Sequence, residues 1–440
     1  MSGPAHNPPS SGKPELVRAI GRWTLTALVL NGIIGSGIFG LPSTLAKQLG
    51  PLAPWAYVIG AAAIGAIVGV FAELASQFRE TGGQYLYARV ALGRFAGIQI
   101  GWFSWLVRLT SAAAVANLFV VYLGEFWSGA TAPGSRAVII TGLVAVLVFV
   151  NYRSVRGGAG LSNFFTVAKL VPLVLFVLLG VALVPRYSST PPVTAPAFGA
   201  WVDALVAMMF AFGGFEAAVI PAAEAKDPRR DAPFALGVGL ALVTAIYVLV
   251  HLVTMWAVPD LANSSRPLAD AARTFAGPVG AGLIAAGAML STFGWLTGAF
   301  VTAPRLTHAL AEAEDFPRIF AKVHPHFRTP YISILLWAAL VLLLALYGNF
   351  IWNAVLAAAA RLVTYASSCL AFIRLRQQRP QATAFRVPGG LFMAGFGLAF
   401  CALLITRMNA DHAQIITAVG LIATVNWLAA RYRAKQGTGC

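Results

Sequence analysis

Apolar runs long enough to cross a bilayer recur along nearly the whole chain, separated by short polar connections. Hydropathy predicts twelve spans, at roughly 20–46, 52–78, 92–123, 135–152, 160–184, 200–223, 233–257, 278–311, 330–347, 350–375, 390–407 and 411–431. An even number of spans puts both termini on one side. The first run is not an ordinary membrane helix. Over residues 30–43 it reads LNGIIGSGIFGLPS, which crowds Gly32, Gly35, Gly37, Gly40 and Pro42 into one window. Each interior glycine costs a helix about 1 kcal/mol relative to alanine. In hydrocarbon the freed N–H and C=O groups also find no water. Two readings fit: an unwound segment whose loose backbone lines a buried cavity, or a stripe of small residues that lets two helices pack closely.

A second interruption favours the first reading. Span six reads MMFAFGGFEAAVIPAAEAKDPRR, broken at Phe210, Ala211, Phe212, Gly213 and Gly214, with Glu216 and Pro221 following. Two broken segments at matching positions of two halves point to a transporter built from inverted repeats with a site at the midplane. Five spans per half give the second half the opposite topology, and spans eleven and twelve are left for packing or dimer contacts. The chemistry follows from the breaks. The first half of span one ends near Ile33 and leaves carbonyls unpaired. The second half begins near Gly37 and leaves the N–H groups of Ser36, Gly37 and Ile38 free. A half-helix N-terminus attracts carboxylate, and carbonyls at a half-helix end suit an ammonium. A site holding both fits an α-amino acid zwitterion. No phosphate loop and no nucleophile–base pair stands out, so the sequence predicts neither an enzyme nor a cofactor.

Composition sharpens this reading. With 58% hydrophobic and 10% charged residues in 440, the chain is not that of a soluble protein and leaves no room for a soluble domain. A net charge of +16 reads as cationic loops on one face of a bilayer rather than as a nucleic-acid surface. With the N-terminus cytoplasmic, 22 of the 31 basic residues fall inside and 6 outside, while Arg108, Lys169 and Arg361 lie within spans. This asymmetry predicts cytoplasmic termini. Cys369, Cys401 and Cys440 are too few and too scattered for a disulfide framework or a metal site. Residues 1–19 are expected to be a disordered cytoplasmic tail without a cleavable signal, 20–432 the transporter domain, and 433–440 a cytoplasmic tail. Two connections exceed a tight turn: 259–277, with a weakly helical stretch near 268–275, and 312–329. The acids and histidines of the second, His324 and His326 among them, are expected to be solvated surface, and with His308 they form no metal-ligand pattern.

Ionisable groups deep in a bilayer are costly and are usually functional or paired. Arg108, Lys169, Glu216 and Arg361 lie deepest, three cations to one acid. Arginine hardly ever gives up its proton, whereas a buried lysine can. Lys169 is therefore a candidate for proton coupling or for a cation standing in place of an ion, against a lysine that snorkels or caps carbonyls. Glu216 is either a structural acid in the first turn of a half-helix or a proton-sensing group. Arg108 and Arg361 are expected to bond with Glu216 or with break carbonyls, or to serve as counter-ion to an acidic substrate side chain.

The stretches GSGIFGLP, ETGGQYLYAR, FAFGGFEA, EAKDPRRDAP and AEAEDFPRIFAKVHPHFRTP resemble the amino acid/polyamine/organocation transporter superfamily, over residues 20–432. The resemblance implies an all-α membrane protein with the LeuT-type fold, a five-plus-five inverted repeat with helices 1 and 6 broken. It implies backbone contacts to substrate from Gly35, Ser36 and Gly37 and from Phe210, Ala211 and Phe212, with Trp295 of span eight against the substrate. In sodium-independent members a lysine of span five, here Lys169, takes the place of an ion. The expected activity is secondary transport of an amino acid by alternating access, coupled to protons, in a monomer or homodimer. Spans three, eight and ten are expected to shape the side-chain pocket. A sodium-independent exchanger and a polyamine antiporter are rivals of the same class; a channel or a transport-inactive sensor belongs to a different one.

Overall fold

A computed structural model describes residues 21–78, 82–153, 158–183, 195–216, 227–378 and 385–437. The expected N-terminal tail, Pro221 and most of the second half of span six lie outside the described residues. Every regular element among the described residues is helical. Span one comprises α1 (Arg22–Ile33), α2 (Gly37–Gly40) and α3 (Pro42–Leu49). Span two is α4 (Ala53–Gln77). The ETGGQYLYAR motif folds as a separate helix, α5 (Gly83–Leu92), ahead of α6 (Arg94–Leu123), α7 (Pro133–Arg153) and α8 (Gly158–Leu183). The second half runs through α9 (Phe198–Ala211), α10 (Pro228–Ala257), α11 (Pro267–Glu312), α12 (Tyr331–Tyr347) and α13 (Phe350–Gln378). Two more helices follow, α14 (Gly390–Ile405) and α15 (Ala410–Gly437). Among the described residues, eight helical segments are long and apolar enough to cross a membrane, and four shorter apolar helices accompany them. The chain is a multi-pass membrane protein.

Local chemistry sets the boundaries. Proline opens α3, α7, α10 and α11, where its missing N–H costs nothing. The Asp227 carboxylate accepts from the Arg229 N–H and caps α10. The helical stretch expected near 268–275 is the first part of α11, bent off the rest at Gly277, whose φ of +63° suits glycine. Side chains such as Val174 and Leu178 on α8 and Leu421 and Val425 on α15 are exposed, and in a bilayer lipid covers them.

The packing repeats with the internal symmetry. Exchanging each span of the first five with its counterpart in the second five maps the main helix contacts onto one another. Span one on span seven (α1 with α10) corresponds to span six on span two (α9 with α4). Span three on ten (α6 with α13) corresponds to eight on five (α11 with α8). The pairs two–seven, three–eight and four–nine map onto themselves, and all are in contact. This is the inverted repeat with helices 1 and 6 broken.

Spans three and eight are tied at both ends. At the end nearer the termini, Asp315 follows α11 and is 0% exposed. It accepts from Arg89 (2.9 Å), from Arg94 (2.9 Å) and from the Tyr85 hydroxyl. Its backbone carbonyl accepts from Asn426 of α15 at 2.6 Å. At the opposite end Glu125 pairs with Arg266 (3.3 Å) and Arg273. The expectation that the acids of the 312–329 connection are solvated is therefore corrected for Asp315. Two arginines reach it from α5 and α6, elements more than 220 residues earlier in the chain, and they replace the water that a lone carboxylate would need.

Candidate substrate site at the two helix breaks

The first break falls between α1 and α2. Ile34 leaves the helix with φ −70° and ψ 96°, and its N–H still donates to Leu30 at 2.9 Å. Among the described residues no backbone carbonyl accepts from the N–H groups of Gly35, Ser36, Gly37 or Ile38. On the other side of the break, the carbonyls of α1 are held by side chains. Lys169 Nζ, from α8, donates to the carbonyls of Asn31 (2.7 Å) and Ile34 (2.6 Å) and is 5% exposed. The Tyr247 hydroxyl of α10 lies 3.1 Å from the carbonyl of Ile33 and 3.1 Å from that of Ala211, so one proton is shared between the two breaks.

The second break follows α9. The Phe212 N–H donates to Met208 at 2.9 Å, and Gly214 turns the chain with φ +116°. Glu216 closes the turn: its Oε2 accepts from the Gly214 N–H (2.8 Å) and the Tyr365 hydroxyl (3.0 Å). Its Oε1 accepts from Arg361 Nε at 3.1 Å, and Arg361 also donates to the Met209 carbonyl at 3.2 Å. Arg361 of α13 thus caps the C-terminal end of α9 and neutralises the acid that follows the turn at Gly213 and Gly214. The two breaks touch backbone to backbone. A Cβ built on Gly214 would lie 2.2 Å from the Gly32 oxygen, and one on Gly32 2.8 Å from the Gly214 oxygen.

Between the breaks lies a small cavity of about 50 Å³. Of the residues expected from sequence, Ile33, Gly35, Ser36, Gly37, Phe210, Gly213, Gly214 and Trp295 line it. Trp295 stands over the first break, with Cδ1 3.8 Å from where a Gly35 Cβ would be. Ile38, Ala211 and Phe212 are packed in the core behind the cavity, and Phe212 lies against Tyr247 at 5.5 Å between ring centroids. Lys169 and Glu216 act on the backbone at the breaks and are not part of the lining. The wall also includes Gly32, Ser111 and Val115 of α6, and Arg361 of α13. Sequence reasoning did not single out Ser111, Val115 or Tyr247. The available signal was a lone tyrosine or serine in an otherwise apolar run. At the end of the cavity away from the termini, Phe210 packs edge-on against Phe350, with ring centroids 5.8 Å apart.

The cavity thus lies between two half-helix ends, with N–H groups that have no backbone partner on one side and carbonyls held by Lys169 and Tyr247 on the other. The model of the amino acid permease family matches residues 20–429. The chain belongs to the amino acid permease family. It is 29% identical to the serine/threonine exchanger SteT of Bacillus subtilis, over 76% of this chain and 78% of that one. It is 27% identical to the methylthioribose transporter of the same organism, over 86% of each. It is 26% identical to the branched-chain amino acid permease BcaP, also of Bacillus subtilis, over 91% of this chain and 90% of that one. All three relatives are named as transporters, and their named substrates differ.

Proposed function

We propose that the chain is a secondary active transporter that carries an amino acid across the cytoplasmic membrane by alternating access, with a proton as the coupling ion and both termini in the cytoplasm. The observation that carries the reading is the paired break. The free N–H groups at Ser36, Gly37 and Ile38 suit the substrate carboxylate, and the second lone pairs of the α1 carbonyls, whose first partners are Lys169 and Tyr247, suit its ammonium. The proton role rests on Lys169. Charged, it grips the carbonyls of Asn31 and Ile34 with charge-assisted bonds, and neutral it grips them less. Its protonation thereby biases where the end of α1 sits, and with it access to the site. One observation favours a second coupling mode: a relative at 29% identity is named an exchanger. In that case Lys169 is a fixed cation and substrate moves only against substrate.

Uptake into proteoliposomes separates the two. Under an inward proton gradient the wild-type protein is expected to concentrate substrate. Lys169→Met, which keeps the apolar stem, is expected to lose that while still binding substrate. Wild-type liposomes that show rapid substrate-for-substrate exchange and no response to the gradient would remove the proton from the account.

A further inference from the structure

Three deep cations surround the breaks, and one acid answers them. Glu216 is fully used: Arg361 holds Oε1, and the Gly214 N–H and Tyr365 hydroxyl hold Oε2. Arg108 is left over. Among the described residues it donates no hydrogen bond and has no carboxylate within 4.0 Å, although Glu216 and Arg361 are near enough to act on it through space. It sits on α6 in a stripe with Ser104, Ser111 and Val115, at spacings that share one helix face. Ser111 and Val115 line the cavity, so Arg108 stands one turn along the same wall. It is half-buried rather than sealed in the core. Even with Lys169 neutral, two guanidinium groups face one carboxylate, and the wall keeps a surplus positive charge.

An unpaired arginine inside a membrane bundle is costly unless something answers it. The substrate α-carboxylate is already provided for by the amides at Ser36, Gly37 and Ile38. We infer that the transported amino acid carries a second carboxylate on its side chain, as aspartate and glutamate do, and that Arg108 together with Arg361 reads it. This rests on the proposal that the breaks hold an amino acid. It follows from charge balance and geometry: opposite the breaks the cavity is walled by Ser111 and Val115 of α6, Trp295 of α11 and Arg361 of α13, so a substrate side chain that points away from the breaks meets that wall. A guanidinium holds a carboxylate in two parallel bonds, and the same surplus repels lysine-like substrates and polyamines.

The test is a competition series on the purified full-length protein, reading displacement of radiolabelled glutamate by aspartate, glutamate, glutamine, serine and lysine. Glutamate and aspartate are expected to bind at least tenfold more tightly than glutamine, a difference of about 1.4 kcal/mol, with lysine weakest. Arg108→Gln is expected to bring the glutamate-to-glutamine ratio close to one, and Arg108→Lys, which keeps the charge, to retain part of it. If Arg108→Gln does not fold, the wild-type ratio and Arg108→Lys still decide. Glutamine or serine binding as tightly as glutamate in the wild type, or an unchanged ratio in Arg108→Gln, overturns the inference while leaving the amino acid reading standing. If thermal-shift measurements show binding of none of the five amino acids, the proposed function itself fails.

Discussion

Gly214 shows how tightly a single position is constrained here. Its φ of +116° is one that side chains rarely adopt, and a Cβ would press to 2.2 Å from the Gly32 oxygen. Gly214→Ala is expected to cost about 1–3 kcal/mol from backbone strain, with the clash added, and to abolish substrate binding by forcing the breaks apart. Gly237 on α10 has nothing within 4 Å of its Cβ position, and Gly237→Ala is the control, expected to be neutral or slightly stabilising. Thermal unfolding of the two variants side by side checks both. At this scale the sequence was half legible. The clustering of Gly213 and Gly214 marks a break, but that the break meets Gly32 follows only from the fold. Tyr247 showed in sequence only as a lone tyrosine in an apolar run, and its role follows only from the fold. Its hydroxyl serves the carbonyls of Ile33 and Ala211, and neither partner is near it in sequence.

The half-helices depend on side chains from other elements to close their open ends. Lys169 of α8 does this for α1, and Arg361 of α13 does it for α9. Arg361→Gln leaves the Glu216 charge without its partner, at a side chain only 17% exposed. Removing one member of a buried pair costs about 3–5 kcal/mol, so a large fall in unfolding temperature is expected. The double change Arg361→Gln with Glu216→Gln is expected to recover part of that loss, because no charge is then stranded. A double-mutant cycle in thermal unfolding measures the difference. The limits of the breaks were readable, because glycine clusters are local. Which cation meets Glu216 was not, because the partner stands 145 residues away. Asp315 misled for a related reason. In sequence it belongs to a charged loop, and only the packing of α5 and α6 brings Arg89 and Arg94 onto it.

At the scale of the whole molecule, ten spans repeat with inverted topology, and the two broken spans cross at the centre of the repeat. Hydropathy and the spacing of the breaks made this architecture legible, because span length and backbone satisfaction in lipid leave few alternatives. Spans three and eight are tied to each other through Asp315 at one end and Glu125 at the other, and under the proposed alternating access that pair would be the frame against which the broken helices move. The central claim is that a zwitterion lies between the breaks with its α-carboxylate on the amides of Ser36, Gly37 and Ile38. The most direct measurement is competition between a transported amino acid and the amine that remains when its α-carboxylate is removed. The account predicts that the amine competes at least tenfold more weakly, corresponding to about 1.4 kcal/mol or more of lost binding. Equal competition by the amine and its parent would contradict it and would place a polyamine, not an amino acid, between the two breaks.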